Sequence, residues 1–428
     1  AKLSQFIMRH AAEVAFRYKP LDDAYQTDYP IFHEKPKPEW KPDNRIAVNF
    51  AKYIVDTMNG YFIGNPIKII VDDGEEAIED YVEFLDQYND QDDNNAELSK
   101  ICSIFGKGYE MYYNDDAGNV GIVYLDPMEA FMIYDDSVLR KERYFVRLYR
   151  DVDNVLHGSV SDELKVRWFT LKGRIVWDKE EKEHYFDGVP ATEYQENKEC
   201  QGIFEPVMSM INAYNKAVSE KANDVDYFAD AYLKIIGTLL DEDELKHIRS
   251  DRVINFDGDA ENLIIDFLQK PDGDVTQEHL VDRLEKLIFQ IAMVANISDE
   301  NFGTASGIAM AYKLQAMNNL RKTKERKFTS GMNRRYKLIF SNPSRHMGIE
   351  KDDWVKLHYK FTPNVPANLL EESQIAQNLS GVVSQETQLG VLSVVDNPKV
   401  EIERIEKEEE KPKDAVMQQM FGDKANEQ

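Results

Sequence analysis

The spacing of apolar residues in the first sixty positions predicts two helices separated by a stiff connector. Residues 3–18, LSQFIMRHAAEVAFRY, carry apolar side chains at helical spacing. Four prolines from Pro30 to Pro42 then prevent regular backbone hydrogen bonding, so residues 1–43 are predicted to form a helix followed by an arm. A second helix is predicted over residues 45–60 by the apolar positions Ala47, Phe50, Ala51, Ile54, Val55 and Met58.

From residue 60 to about residue 201, the spacing of apolar residues switches repeatedly between the repeat of a helix and that of a strand. IKIIVD predicts a strand, ELSKICSIF a helix, and GYEMYYNDDAGNVGIVYLD a hairpin that turns at residues 116–119. Further strands are predicted in RYFVRLYRD, LKVRWFTL, GRIVWD and KEHYFD, which are rich in aromatic and β-branched residues. This region is therefore predicted to be an α+β unit with an antiparallel sheet.

Two long helical patterns flank a short β-rich segment in the middle of the chain. The first begins near Pro206, and the second begins at Asp274, which could cap it together with Gln277. Between them, YLKIIGT, DRVINFD and NLIIDFLQK predict short strands and DEDELKHIRS a small helix. The apolar faces of the two helices are formed by Val207, Ile211, Tyr214, Val218, Leu280, Leu284, Leu287, Ile288 and Ile291.

A loop of small and polar residues, 296–307, follows the second helix and leads into a long helical pattern over residues 308–340. Its glycines give backbone freedom, but Gly307 is followed by Ile308 and not by the Lys-Ser/Thr pair that a phosphate-binding loop requires. WVKLHYKF then predicts a strand, and two short helices and a final charged helix, VEIERIEKEEEK, complete the pattern.

The charge of the chain is uneven. The formal net charge is −26, but residues 308–340 contain nine basic residues and one acid, a net +8 that leaves −34 for the rest. An acidic surface argues against a general nucleic-acid coat, because such binding depends on Lys and Arg at the phosphates. The charge of the basic helix is expected to pair with acidic surfaces of the same fold or of a neighbouring subunit, and direct contact with nucleic acid is the alternative.

The sequence carries no signature of a catalytic, metal or cofactor site. Cys102 and Cys200 are the only cysteines, and the histidines have no paired helical spacing. The acidic run from Asp90 resembles a calcium loop, but Asn95 replaces its glycine and Ile101 its bidentate acid. No stretch is apolar enough to span a membrane. We therefore expect a non-enzymatic protein without cofactor or metal.

Five long phrases, in this order, resemble one protein family. NRIAVNFAKYIVDTMNGYFIGNPIKI, AELSKICSIFGKGYEMYY, VYLDPMEAFMIYDDS, FEPVMSMINAYNKAVSEKANDVDYFADAYLKIIG and NFGTASGIAMAYKLQAM look like the portal proteins of long-tailed bacteriophages of Gram-positive bacteria. The resemblance runs from about residue 40 to about residue 405. It implies the α+β portal fold, with an α+β wing, a long-helix stem, a small αβ clip and a helical crown.

The resemblance also implies a layout of the chain. It gives an N-terminal helix and arm (1–43), wing (44–201), stem helix (202–230), clip (231–273), second stem helix (274–295), tunnel loop (296–307), long helix from channel to wing (308–340), wing strand (341–365), and crown with acidic tail (366–428).

By the same resemblance the chain forms a ring of twelve subunits at one capsid vertex, through which double-stranded DNA is packaged and ejected. The implied partners are the terminase, a neck adaptor, and capsid and scaffolding proteins, in the virion and in the host cytoplasm during assembly. The clip would dock the terminase and adaptor through Asp241, Glu242, Asp243, Glu244, Lys246 and Arg249. The tunnel loop would meet DNA through Asp299, Glu300, Asn301, Phe302, Gly303, Thr304, Ala305, Ser306 and Gly307.

Two other classes of function stay open at this stage. A metal-dependent DNA-processing enzyme would need carboxylates from several elements in one pocket, which a sequence alone does not exclude. A ring adaptor or scaffold that carries no DNA would form a similar ring, but its central hole would not conduct duplex DNA.

Overall fold

The computed structural model describes residues 2–39, 41–72, 74–229, 233–236, 264–267, 274–297, 312–365, 369–392, 394–395 and 398–407. Helices and antiparallel sheets are mixed along the chain, so the α+β prediction is confirmed. The chain divides into two compact units, Ala1–Pro363 and Asn364–Gln428.

The N-terminal helix is longer than predicted. Helix α1 (Lys2–Glu13) continues through a π-helical turn, Val14–Tyr18, into α2 (Lys19–Tyr25). The next helix, α3 (Phe50–Ile63), begins five residues after the predicted start, because Asn49 caps it by accepting a hydrogen bond from the Lys52 N–H at 2.8 Å.

The region predicted as the wing contains a three-stranded and a five-stranded sheet. Helices α4 (Glu76–Tyr88) and α5 (Gln91–Phe105) lie before a three-stranded sheet of order β3–β2–β9. Its strands are β2 (Lys107–Asn114), β3 (Val120–Leu125) and β9 (Ala191–Gln195). The predicted hairpin turn joins β2 to β3, and the left-handed backbone of Gly118, with φ of 85°, suits a residue without Cβ.

The second sheet has five antiparallel strands in sequence order, so each strand pairs with the next along the chain. They are β4 (Ala130–Tyr134), β5 (Glu142–Arg150), β6 (Leu156–Ser161), β7 (Lys165–Leu171) and β8 (Ile175–Glu183). The strand predicted in GRIVWD is β8, which continues to Glu183, whereas the separate strand predicted in KEHYFD was wrong, since β8 takes only Lys182 and Glu183 of that segment. Ile7 of α1 packs with Val146 and Phe169 on this sheet.

The two long helices in the middle of the chain are α6 (Met208–Ala229) and α7 (Asp274–Ala292). The two described strands between them, β10 (Leu233–Ile236) and β11 (Ile264–Phe267), pair antiparallel. These correspond to two of the three predicted strands, whereas DRVINFD and the predicted helix DEDELKHIRS lie outside the described residues. The small β-rich segment between the helices is thus confirmed as far as it is described.

The basic segment forms α8 (Gln315–Ser341), and the predicted strand in WVKLHYKF is β12 (Leu357–Lys360), which pairs with β1 (Lys68–Val71). The main hydrophobic core includes residues of α3, α5 and α8. Phe62 of α3 stacks on Phe361 at 5.3 Å between ring centroids and meets Phe328 of α8 edge-on at 5.8 Å. This packing fixes α8 against the wing.

The second unit contains the two short helices predicted near the C-terminal end, α9 (Leu369–Leu379) and α10 (Gln385–Leu389). They are joined by a hydrogen bond from the Gln388 side chain to the Ala376 carbonyl, 2.9 Å long. Residues 398–407 form the described part of the predicted charged helix.

Candidate channel elements

Helices α6 and α7 pack side by side and bear the predicted stem residues. Ile211 and Ile288 are fully buried, and Lys221 of α6 forms an ion pair with Glu278 of α7. Gln277 was predicted to complete a capping box with Asp274, but its side chain instead donates to Asp224 of α6 at 3.3 Å. The Gln277 part of the prediction was wrong, because this amide joins the two helices and its oxygen accepts no hydrogen bond from the start of α7.

The apolar faces of these helices are only partly covered within one chain. Val207, Ile211 and Ile288 are buried, and Tyr214, Val218, Leu284 and Leu287 are half-buried. Leu280 and Ile291 remain 52% and 44% exposed. Exposed apolar side chains beside buried ones on a helix pair are typical of helices that also pack against another subunit.

Between residues 215 and 226 the most buried positions of α6 are polar, which the apolar pattern did not predict. Asn215, Ser219 and Asn223 are 1%, 1% and 6% exposed. They hold the extended segment before α3: Asn223 accepts from the Asn44 N–H at 2.6 Å, Ser219 from the Ile46 N–H at 2.9 Å, and Asn215 from the Val48 N–H at 2.8 Å.

This ladder of hydrogen bonds forms because the repeat distance of the helix matches that of the extended segment. Four residues of an α-helix rise about 6 Å, and two residues of an extended strand advance about 6.6 Å, so every fourth side chain meets every second backbone group. The helix thereby replaces a neighbouring strand for the segment 44–48. The spacing of four between Asn215, Ser219 and Asn223 was the signal in the sequence that could have predicted this ladder. Because the ladder holds residues 44–48 in an extended conformation, the predicted helix start at residue 45 was wrong.

The predicted tunnel-loop side chains, 299–307, and clip-docking side chains, 241–249, lie outside the described residues. The two described residues of the loop, Asn296 and Ile297, sit just after α7. The Ile297 N–H donates to the Tyr53 hydroxyl at 2.9 Å, which ties the end of α7 to α3.

Helix α8 buries two of its basic residues, Arg335 and Lys324, against α5 and the three-stranded sheet with its following segment. Arg335 is fully buried and donates to Glu110 of β2 through Nε at 2.9 Å and Nη2 at 2.6 Å, and Nη2 also donates to Asn95 at 2.6 Å. Burial opposes the guanidinium charge, but Glu110 and neighbouring tyrosines outweigh it and keep the pKa of Arg335 well above its usual value.

Lys324 makes a second buried ion pair. Its Nζ lies 2.6 Å from Glu196 Oε2 and donates to the Ser99 carbonyl at 2.9 Å and the Ser103 hydroxyl at 2.5 Å. Lys324 and Glu196 are both 1% exposed, so neither charge is accessible to a ligand in solution. Further along α8, Arg334 pairs with Glu142 at 3.2 Å and Arg321 with Glu325 at 2.7 Å.

One acid close to this network has an unusual protonation equilibrium. Burial raises the pKa of Asp86 to about 6, and the nearby Arg335 only partly opposes the shift. Neither sequence pattern nor charge count had marked Asp86, Glu110 or Glu196, because each is significant only through the helix packed on it.

The described part of the chain contains no group of three or more His, Cys, Asp or Glu side chains that could hold a metal ion. Within the same residues, no helix combines the length and apolarity needed to cross a membrane.

The described elements define an α+β protein in which a three-stranded and a five-stranded sheet are followed by a pair of long helices with a two-stranded sheet between them. The chain belongs to the family described as phage portal protein, SPP1 Gp6-like, whose model matches residues 4–414. The resemblance seen in the sequence is thereby confirmed, and membership implies a ring-forming structural protein of the phage head–tail connection.

Two curated relatives carry the name portal protein. That of Clostridium phage phiCD119 is 23% identical over 372 residues, which cover 80% of this chain and 79% of the relative. That of Bacillus phage SPP1 is 23% identical over 414 residues, which cover 86% of this chain and 76% of the relative. Among solved structures, a chain from the neck of an empty GTA particle, computed with C6 symmetry, has a TM-score of 0.44 at 12% identity and covers 80% of this chain and 89% of that chain.

Proposed function

We propose that this chain assembles into a ring channel at one capsid vertex, through which double-stranded DNA is packaged and later ejected. The family match over residues 4–414 carries the proposal. In the ring, α6 and α7 form the stem, the segment between them the clip, and residues 296–307 the tunnel loop. The second unit, after Pro363, corresponds to the crown and tail.

The electrostatics of α8 support a channel that DNA passes without being gripped. Each Lys or Arg on a channel wall adds a phosphate contact that moving DNA must break. The helix with the highest positive charge buries Lys324 and Arg335 against Glu196 and Glu110, so those cations contribute little to any wall. A polar, acidic lining lowers the friction of translocation.

The ring also requires partners at its two ends. The clip, with the acidic residues 241–244 and the basic residues Lys246 and Arg249, docks the terminase during packaging and the neck adaptor afterwards. Capsid and scaffolding proteins surround the ring at the vertex. ATP hydrolysis is assigned to the terminase, and the chain itself acts without catalysis.

DNA packaging tests this function directly. Capsids assembled with this chain, supplied with its terminase, ATP and linear duplex DNA, are expected to protect DNA from added nuclease. Capsids assembled without the chain are the control. Equal protection in both preparations would contradict the proposal, as would rings that bind the terminase while no DNA enters.

A further inference from the structure

A cleft runs along β4, the first edge of the five-stranded sheet. It consists of two cavities of about 620 and 470 Å³ that share Lys107, Tyr134, Arg140 and Glu193 in their walls. The larger lies between α1 and β4, and the smaller lies between β9 and α8. The shared walls make them two halves of one elongated depression.

The smaller half concentrates positive charge in an acidic protein. Five cations line it, against the two acids Glu142 and Glu193. Among the described residues, Arg334 is the only one of the five in an ion pair, with Glu142 at 3.2 Å. The cations come from β2, the β4–β5 turn, the segment after β9, and α8, and they are Lys107, Arg140, Lys198, Lys327 and Arg334.

The other edge of the same sheet has the opposite character. Strand β8 has an exposed side chain at every position after the first, and its four acids outnumber its two lysines. The acids are Asp178, Glu180, Glu181 and Glu183. Glu181 pairs with Lys165, whereas Asp178 and Glu180 make no ion pair within the described part of the chain. The two edges are separated by four strand spacings, about 19 Å.

We propose that the smaller, cationic half of this cleft binds the acidic edge strand β8 of the next copy in the ring. The larger half is lined by four acids against three Lys or Arg side chains and is not assigned to this contact. This inference rests on the proposed ring assembly. A closed ring needs a heterologous contact in which two different surfaces of the same body complement each other. Opposite charges on opposite edges of one rigid sheet satisfy that requirement. Each subunit then binds β8 of one neighbour in its cleft, and its own β8 binds in the cleft of the other neighbour.

The dimensions favour a row of carboxylates over a single anion. A cleft of several hundred Å³ whose cations arise from separate elements exceeds what one phosphate or carboxylate group fills. An exposed strand presents acidic side chains at regular intervals and can reach several cations at once. Because the individual pairs are solvent-accessible, each contributes little, and the contact depends on their number and on salt.

Charge reversal at exposed positions tests the contact without disturbing the core. The cleft variant is Arg140→Glu with Lys198→Glu, and the edge variant is Asp178→Lys with Glu180→Lys. Matched controls change the same charge elsewhere on the surface: Lys322→Glu with Arg326→Glu on α8, and Glu76→Lys with Glu79→Lys on α4. Ring assembly is measured by native mass spectrometry and light scattering against protein concentration at low salt, with circular dichroism to verify folding.

Each variant alone is expected to raise the protein concentration for half-assembly by at least about tenfold, because like charges then face each other in every contact. Mixing the cleft and edge variants should restore rings containing equal amounts of both, since each reversed surface then meets its complement. The controls should assemble like the unaltered chain.

Two results would overturn the inference. One is normal assembly of both folded variants, and the other is no recovery on mixing or in a chain carrying all four changes. If either result is obtained while the unaltered chain still forms rings, the proposed contact is wrong but the proposed channel function is not contradicted. Absence of rings in the unaltered chain would instead contradict the proposed function.

Discussion

Arg335 of α8 and Glu110 of β2 form a fully buried, bidentate ion pair, with donor–acceptor distances of 2.6 and 2.9 Å. The pair joins the basic helix to the three-stranded sheet. It shows that part of the +8 charge of this segment serves the packing of the subunit. The charge count alone did not distinguish this use from contact with nucleic acid.

Removing one member of that pair is expected to be costly. Arg335→Met leaves Glu110 charged and buried, so the free energy of unfolding should fall by about 3 to 5 kcal/mol. Arg143→Met, which breaks the exposed pair with Glu163, should cost no more than about 1 kcal/mol. Chemical denaturation of both variants measures the difference, and equal small losses would contradict the assigned role.

Glycine at position 331 lets α8 approach β9. A Cβ there would lie 2.4 Å from the ring of Tyr194, which is fully buried and has no room to move. Gly331→Ala should therefore destabilise the protein by about 1 to 3 kcal/mol despite the better helix propensity of alanine.

Gly60, in α3, is the matched control, because an added Cβ there would meet no atom within 4 Å apart from its chain neighbours and the backbone of its own helix. Gly60→Ala should stabilise by up to about 1 kcal/mol. Thermal unfolding of both variants is the measurement, and a shift of the same sign in the two would refute the close-approach explanation.

The long periodic elements could be predicted from the sequence, whereas elements defined by their partners could not. The apolar spacing located α3, α6 and α7, and β-branched and aromatic runs located β5 and β7. Strand β6 was missed because Gly158, Ser159 and Ser161 have weak strand propensity and are held by neighbours on both sides. The polar ladder on α6 was missed because buried Asn and Ser follow no apolar period.

That ladder predicts a local effect of Ser219→Ala. The Ser219 hydroxyl accepts from the Ile46 N–H at 2.9 Å and lies 3.1 Å from the Ile46 carbonyl. Losing it should cost about 1 to 2 kcal/mol and speed hydrogen exchange at Ile46. Ser209→Ala, at an exposed position of the same helix, should change neither the stability nor the exchange rate.

The raised pKa of Asp86 predicts a pH dependence of stability. Above pH 6 the folded protein carries a partly buried carboxylate charge that the unfolded chain, with an ordinary pKa of 3.8, solvates freely. This penalty is relieved as pH falls from about 6 towards 3.8, because the folded form binds the proton first.

Asp86→Asn should therefore raise the free energy of unfolding at pH 7.5 by at most about 3 kcal/mol and leave it unchanged below pH 3.8. Denaturant titrations at several pH values measure the difference. A constant gain at every pH would mean that protonation is not the cause.

The proposed tunnel loop predicts a separation of assembly from packaging. Deleting part of residues 301–306 should leave rings intact, because the stem, clip and wing are untouched, and should lower the amount of nuclease-protected DNA. A deletion of equal length in the tail beyond residue 411 serves as the control for chain length. Normal packaging by the shortened loop would remove its assigned role.

Electron microscopy of the purified chain, with class averages viewed along the symmetry axis, tests the central claim most directly. The account predicts closed rings with a central hole wide enough for duplex DNA. Compact particles without a hole, over a range of protein and salt concentrations, would contradict it.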